Sequence, residues 1–267
     1  MTHSHPMRIR LWSDLHLEMS GNRDVSDRLP DEVDADLVLL AGDIAQGVEG
    51  VRWAAKKFRD TPVAYVLGNH EFYGHDLDEA QASARKAAVG TNVRVLEKDV
   101  WDFTSGLRIL GVTLWTNYAL WGSHAVGEAM LKGLALSDFR HVTLAGRRFV
   151  PTDALRLHGE AIGWLGIELA RSAREGVRTI VLTHHAPDVH CIGPEYAAAR
   201  DDLSPSFASD HSELLQSTAA PAIWCSGHTH TNYRGKIGRT MLLSNQAGYV
   251  FRRECPDFVP EGLPLEP

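Results

Sequence analysis

Five short polar clusters punctuate this chain of 267 residues: Asp14-Leu15-His16, Gly42-Asp43, Gly68-Asn69-His70-Glu71, His184-His185 and Gly227-His228-Thr229-His230. Together they offer carboxylate, imidazole and amide oxygen, a donor set suited to a borderline cation such as Mn, Fe, Co, Ni or Zn. Asp14 and His16 stand two apart, as do His228 and His230, so each pair points to one side of an extended segment. Asp43 stands alone, where its two oxygens could bridge two ions, and Asn69 adds an oxygen without adding charge. Two ions need more ligands than one segment can aim at a point, so the ligands must come from several strand ends. Adjacent metals are a device for in-line attack on phosphorus. Singly these residues say little, because an Asp after a strand is ordinarily a cap and a lone His ordinarily packs or faces water. The ordered set is what implies a two-metal phosphoesterase.

The elements that must hold these residues alternate between strand-like and helix-like runs, which predicts an α/β fold. Strands are expected at 8–12, 36–41 and 62–67, leading to Asp14, Asp43 and Asn69, and at 178–182, leading to His184. Further strands are expected at 94–96, 100–103, 107–115, 222–225, 233–237, 240–243 and 249–251. Helices are expected at 48–58, 76–88, 152–174 and 207–216, with 121–136 helical in part. Gly42, Gly68 and Gly227 precede site residues, where a side chain would block close backbone approach. Residues 1–7 read as a flexible leader, 8–255 as one domain, because its site draws on nearly the whole span, and 256–267 as an irregular Pro-rich tail. His3 and His5 fall in the leader and read as adventitious.

Hydrophobic residues make up 44% of the chain, enough for a substantial core, and the net charge is −7. No basic tract appears, so nucleic acid is not the expected partner. Bound dications would reverse the negative field locally and leave an anionic small substrate open. Three cysteines without paired spacing, no signal-like N-terminus and no bilayer-length apolar run point to the cytoplasm. The oligomeric state is not legible.

The ordered motifs resemble those of the calcineurin-like metallophosphoesterase superfamily: Asp-x-His, Gly-Asp, Gly-Asn-His-Asp/Glu, His and Gly-His-x-His are all met. The resemblance implies a β-sandwich flanked by α-helices, a four-layer αββα arrangement, with two divalent transition-metal ions at one edge. By motif match Asp14, His16, Asp43 and His230 would hold the first ion, and Asp43, Asn69, His184 and His228 the second. Either imidazole of His184-His185 could serve; His184, the first to leave its strand, is preferred, with His185 behind it or near substrate. Gln46 stands where purple acid phosphatases place a metal-binding Tyr, and the arginines of Ser/Thr protein phosphatases are missing from the second and third motifs. Small bacterial members, including the cyclic-nucleotide phosphodiesterase group, resemble the chain better.

The expected chemistry is attack on phosphorus by a metal-bridging hydroxide, with His70 as the catalytic side chain that steadies the phosphorane or protonates the leaving oxygen. Glu71 could orient His70, although a structural carboxylate is the plainer reading. Trp115, Asn117 and Tyr118 could form an aromatic wall for substrate, against the plainer alternative of packing onto the core. Arg140, Arg147 and Arg148 could pair with phosphate, against simple exposure. Hydrolysis of small phosphodiesters leads, and cyclic nucleotides are among them. A phosphomonoesterase or nuclease of the same fold, and a non-catalytic scaffold, are the alternatives. The zinc-protease pattern fails, because His75 falls five residues after His70 rather than four.

Overall fold

A computed structural model describes residues 7–22 and 25–265. Four parallel strands come first: β1 (Ile9–Trp12), β2 (Leu37–Leu40), β3 (Val63–Tyr65) and β4 (Val93–Val95). In β2, Leu37 and Leu39 face one core while Val38 and Leu40 face another. That two-sided burial is why the parallel strands read as unbroken apolar runs. A second sheet begins with β5 (Asp99–Thr104) and β6 (Leu107–Val112), and β7 (Thr143–Leu144) pairs with β8 (Arg147–Arg148) in a separate hairpin. The second sheet is completed by β9 (Arg178–Thr183), β10 (Ile223–Cys225), β11 (Arg234–Ile237) and β12 (Thr240–Leu243). Last, β13 (Leu263–Leu265) returns to the first sheet.

The strand orders are β13-β1-β2-β3-β4 and β11-β12-β10-β9-β6-β5. The two sheets face each other through Ile9, Leu11, Leu39, Ile109, Ile180 and Leu182. Outside the first sheet, helices Glu49–Phe58 and Leu77–Ala88 pack through Val51, Ala54, Ala80 and Ala84. Outside the second, Ala161, Leu165 and Leu169 of helix Pro151–Glu175 cover Val181 and Trp224. The layers are therefore αββα, as expected. The long helix starts at a Pro in its first turn, is capped by Asp153, and stops at the left-handed Gly176, φ 66°,. Among the described residues, no helix is long and apolar enough to cross a membrane.

Three expectations need correction. The tail is not irregular throughout: β13 pairs antiparallel with β1, and Leu263 and Leu265 are buried. Pro264 obscured this strand, yet an edge strand tolerates a residue that cannot donate to the ladder. Residues 249–251 are not a strand; a 3-10 turn, Val250–Arg252, follows Tyr249. The helix expected at 207–216 shrinks to Ser212–Gln216. Of the leader, residues 1–6 lie outside the described residues, and Met7 packs against the inter-sheet core.

Parallel order matters to the site because β1, β2, β3, β9 and β10 all deliver their C-terminal ends to one edge, the usual place for ligands in such sheets. Glu71 ties these ends together. Its carboxylate is fully buried and accepts from the backbone N–H of Asp43 (3.0 Å), Ile44 (2.9 Å) and Gly68 (2.8 Å) and from the Tyr65 hydroxyl (2.5 Å). One side chain thus fixes the loops after β2 and β3 to each other. Replacing it leaves several buried donors unpaired, at ~1–3 kcal/mol each. Glu71→Leu is expected to lower unfolding stability in urea by about 3 kcal/mol or more, and a loss smaller than about 1 kcal/mol would refute the clamp.

Candidate metal centre

The loops that leave the strands are tight. Asp14, His16, Asp43, His228 and His230 all have left-handed backbone, with φ between 47° and 70°, a region that residues other than Gly enter seldom and at a cost. Such strain is tolerated where surrounding contacts over-determine the loop. Two glycines make the approach possible: a Cβ on Gly68 would collide with the Asp43 carboxylate, and one on Gly227 with that of Asp14.

Two donor sets result. In the first, His16 Nε2 lies 3.0 Å from His230 Nε2, and His230 Nε2 lies 3.6 Å from Asp14 Oδ1. In the second, His184 Nε2 lies 2.9 Å from Asn69 Oδ1 and 3.1 Å from His228 Nδ1. Asp43 stands between them, with Oδ2 3.7 Å from His16 Nε2 and Oδ1 3.4 Å from His184 Nε2. Ligating atoms of Asp14, His16 and His230 lie within 4.8 Å of one another, as do those of Asp43, His184 and His228. A third such set joins His16, Asp43 and His70.

Hydrogen bonding shows what these atoms are short of. His184 Nδ1 donates to the Ala41 carbonyl at 2.8 Å, which leaves Nε2 as a bare lone pair. The Asn69 amide nitrogen donates to Asp138 (2.8 Å) and to the Tyr73 hydroxyl (2.9 Å), which turns Oδ1 toward that lone pair. Burial holds the His184 imidazole down, at about 4, against the pull of Asp14 and the Ala41 carbonyl, so no proton separates the two acceptors at neutral pH. Two acceptor atoms 2.9 Å apart in a dry site are repulsive unless a cation lies beside them. Around the first set, burial opposes charge on His230, but Asp14 and Glu254 raise it to about 9. A proton there occupies the place a divalent ion would take. Burial first, then the charges of Glu71 and Asp14, push the Asp43 carboxyl up. The donors therefore fit borderline divalent ions.

The remaining candidates fall into two groups. His70 faces the centre: its backbone N–H donates to Asp43 Oδ1 at 2.9 Å, and its Nε2 lies 3.4 Å from the Tyr249 hydroxyl and 3.9 Å from Asp43 Oδ2. Glu71 does not touch the His70 ring. Glu18 does, with Oε1 2.8 Å from His70 Nδ1 and 3.3 Å from His16 Nδ1. His185 is buried behind the ligand imidazoles, with Nδ1 3.2 Å from the Thr113 carbonyl, and its ring atoms belong to neither donor set.

The aromatic wall is corrected. Trp115 is 4% exposed and packs on Phe149, Phe72 and His185, while Tyr118 is 2% exposed. Asn117 caps its own loop through the Ala119 N–H. Trp115 and Tyr118 belong to the core under the site because apolar burial outweighs exposure of large rings, while Asn117 stays half-buried in its loop,. For the arginines the plainer reading, exposure, holds: Arg147 grips Asp153 with both terminal nitrogens at 2.7 Å, Arg140 donates to the Ala135 carbonyl, and Arg148 is exposed.

Several residues of the site escaped the sequence reading. Glu18 is two residues past His16 and could have been found by extending the alternation from Asp14. Asp138 and Glu254 reach Asn69 and His230 from 69 and 24 residues away, with no local signal. Glu254 accepts from His230 Nδ1 at 2.5 Å and from the Tyr249 N–H at 2.9 Å, which fixes the imidazole's tautomer,. Above these groups opens a cavity of about 830 Å³, lined at its base by Asp43, Asn69, His70, His228, His230 and Tyr249.

Comparison with known proteins agrees with this geometry. A stretch of 79 residues is 34% identical to the acyl-carrier-protein phosphodiesterase PptH of Mycobacterium tuberculosis, covering 28% of this chain and 24% of that enzyme, so the sequence match spans about a quarter of the relative's length. The crystal structure of phosphopantetheinyl hydrolase (PptH) from the same organism shares the fold, with a TM-score of 0.72 at 17% identity over 98% of this chain and 96% of that one. A dimetal phosphatase from Danio rerio is more distant, with a TM-score of 0.49 at 16% identity over 92% and 89% of the two chains. The calcineurin-like phosphoesterase model matches residues 7–232, a span that includes every ligand candidate from Asp14 to His230. The chain belongs to the calcineurin-like phosphoesterase family.

Proposed function

We propose that this chain hydrolyses phosphodiesters with two divalent transition-metal ions, the first held by Asp14, His16, Asp43 and His230 and the second by Asp43, Asn69, His184 and His228. The observation that carries the reading is Asp43, whose two oxygens face two separate sets of candidate ligand atoms. Ions bound there supply Lewis acidity, lowering the pKa of water and neutralising phosphoryl charge. The chain's own work lies around them. Glu254 and the Ala41 carbonyl hold His230 and His184 in the tautomers that present Nε2. Glu18 holds the His70 ring through Nδ1, so that Nε2 faces the cavity floor, where it would donate to the leaving oxygen,. Three buried free cysteines suit a reducing compartment, and we place the protein in the cytoplasm,.

The names of the related enzyme, acyl-carrier-protein phosphodiesterase and phosphopantetheinyl hydrolase, make an ester between a carrier protein and a phosphopantetheinyl group the first substrate to test. Cyclic nucleotides remain the second.

Stripping metal with a chelator and restoring Mn, Fe, Co, Ni or Zn singly is expected to abolish and then recover cleavage of bis-p-nitrophenyl phosphate. The monoester p-nitrophenyl phosphate should be cut at least tenfold less well. Stoichiometric metal without turnover of either ester would leave the scaffold reading standing, and a monoester preference would make the protein a phosphatase.

His184→Ala should lose one of two bound ions by elemental analysis and nearly all activity, whereas His185→Ala should keep both ions. Equal metal loss in the two variants would contradict the assignment of the ligand.

Glu18→Gln tests the proton donor. General acid catalysis is worth ~10²–10⁴-fold, so kcat should fall more for a phenyl ester than for a p-nitrophenyl ester, whose leaving group needs no proton. The same proportional fall with both leaving groups would remove the role assigned to Glu18 and His70.

A further inference from the structure

Resting on the phosphodiesterase reading, we infer that the site selects an ester whose non-reacting arm carries no negative charge. The observation is the composition of the cavity beyond the metal centre. Its volume of about 830 Å³ far exceeds a phosphoryl group and matches a mid-sized organic ligand,. Among the described residues that line it there is no lysine and no arginine. Five carboxylates line it besides Asp43: Glu18, Asp138, Glu195, Asp201 and Glu254.

Four of the five are already committed. Glu18 holds His16 and His70, Asp138 holds Asn69 and Tyr73, and Glu254 holds His230. Asp201 caps the backbone N–H groups of Leu203 and Ser204. These partners hold the carboxylates in place. The cations nearby are turned to other work. Arg252 lies over the rings of Tyr249 and Phe251 at 5.2 and 5.5 Å, with Glu254 3.8 Å away. Arg200 lies over the Trp121 ring at 5.0 Å and donates to the Trp121 carbonyl.

What the cavity offers an arm is neutral. Leu136, Ile192, Tyr196, Leu203 and Phe207 give apolar surface, and Ser137, Thr229 and Thr231 give hydroxyls. A second phosphate on the arm would sit among fixed carboxylates with no counter-charge, in a partly enclosed space where repulsion is poorly screened. The metal centre welcomes one phosphoryl group, and nothing beyond it repeats that charge. A singly ionised diester with an extended amide, hydroxyl or alkyl arm fits. A polyphosphorylated nucleotide or a nucleic acid strand does not.

The test uses two p-nitrophenyl diesters of 1,5-pentanediol, one with a free terminal hydroxyl and one with a terminal phosphate, assayed on the metal-loaded full chain at fixed free metal. The hydroxyl-ended ester is expected to have at least tenfold higher kcat/KM, with most of the difference in KM. Glu195 is exposed at the cavity wall and holds no part of the metal centre, so Glu195→Lys should cut that preference at least threefold. Equal or faster cleavage of the phosphate-ended ester would overturn the inference. A preference untouched by Glu195→Lys would overturn it as well, by locating the discrimination outside this cavity. Bis-p-nitrophenyl phosphate runs alongside: its failure to turn over would sink the phosphodiesterase reading itself, whereas its turnover without discrimination between the arms sinks only the present one.

Discussion

Convergence of unprotonated lone pairs is the constraint around which this molecule is built. The His184 and His228 imidazoles and the Asn69 amide oxygen approach one another within 2.9 to 3.1 Å in a buried space, beside two carboxylates. Left alone, such an arrangement is unfavourable, since each acceptor is desolvated and faces another acceptor. It persists because the backbone carrying these groups is anchored elsewhere. The sheets supply the anchorage: β1, β2, β3, β9 and β10 are fully or nearly fully buried and hydrogen-bonded on both sides. Their burial stabilises each strand by several side chains' worth of apolar transfer, which can offset strain at the loops beyond.

Glu71 shows how the anchorage reaches the site. A carboxylate that accepts three backbone N–H groups and a phenol is well satisfied in spite of its depth,. It is also a fixed negative charge close to Asp43, and it helps push that carboxyl up. The structure therefore spends a stabilising interaction on the loops in a way that makes the bridging carboxylate more eager for a cation. Stability of the scaffold and affinity of the site are coupled through one residue, and neither follows from a tally of ligands.

How much of this was legible in the sequence depends on the range over which each signal acts. The candidate ligands stood out because they lie just past apolar strands, so type and position together mark them, and the fold brings them together. An α/β fold could be read from the same strands, whereas the four-layer arrangement came only from the resemblance of the motifs to a known family. Trp115 and Tyr118 left two readings open, of which the plainer, core packing, holds, because an aromatic residue after a strand carries no sign of whether it turns outward or under the site. β13 was hidden by Pro264, whose cost disappears only once the strand is known to lie at an edge. Asp138 and Glu254 could not have been found, since only the fold brings them to Asn69 and His230. His70 was noticed and the plainer, structural reading of the adjacent Glu71 holds, but the partner of the His70 ring was not found. The chain turns Glu71 inward to the backbone and sends Glu18, from a different loop, to the imidazole.

That exchange of partners has a physical logic. A carboxylate adjacent to His70 in sequence shares its 3-10 turn, His70–Phe72, and cannot easily reach round to the ring's Nδ1. Glu18 arrives from the β1 loop, two residues beyond a metal-ligand candidate, and its one oxygen touches both His16 and His70. The group proposed to move a proton and a group proposed to hold an ion thus share a counter-charge. A shift in one imidazole must be felt by the other through Glu18. The carboxylate so engaged also forms part of the cavity wall, so the electrostatics that order the chemistry set the charge of what can enter. The proposed proton transfer and the inferred selectivity therefore rest on the same few carboxylates, Glu18 and Glu254 among them, which hold imidazoles on one side and line the cavity on the other.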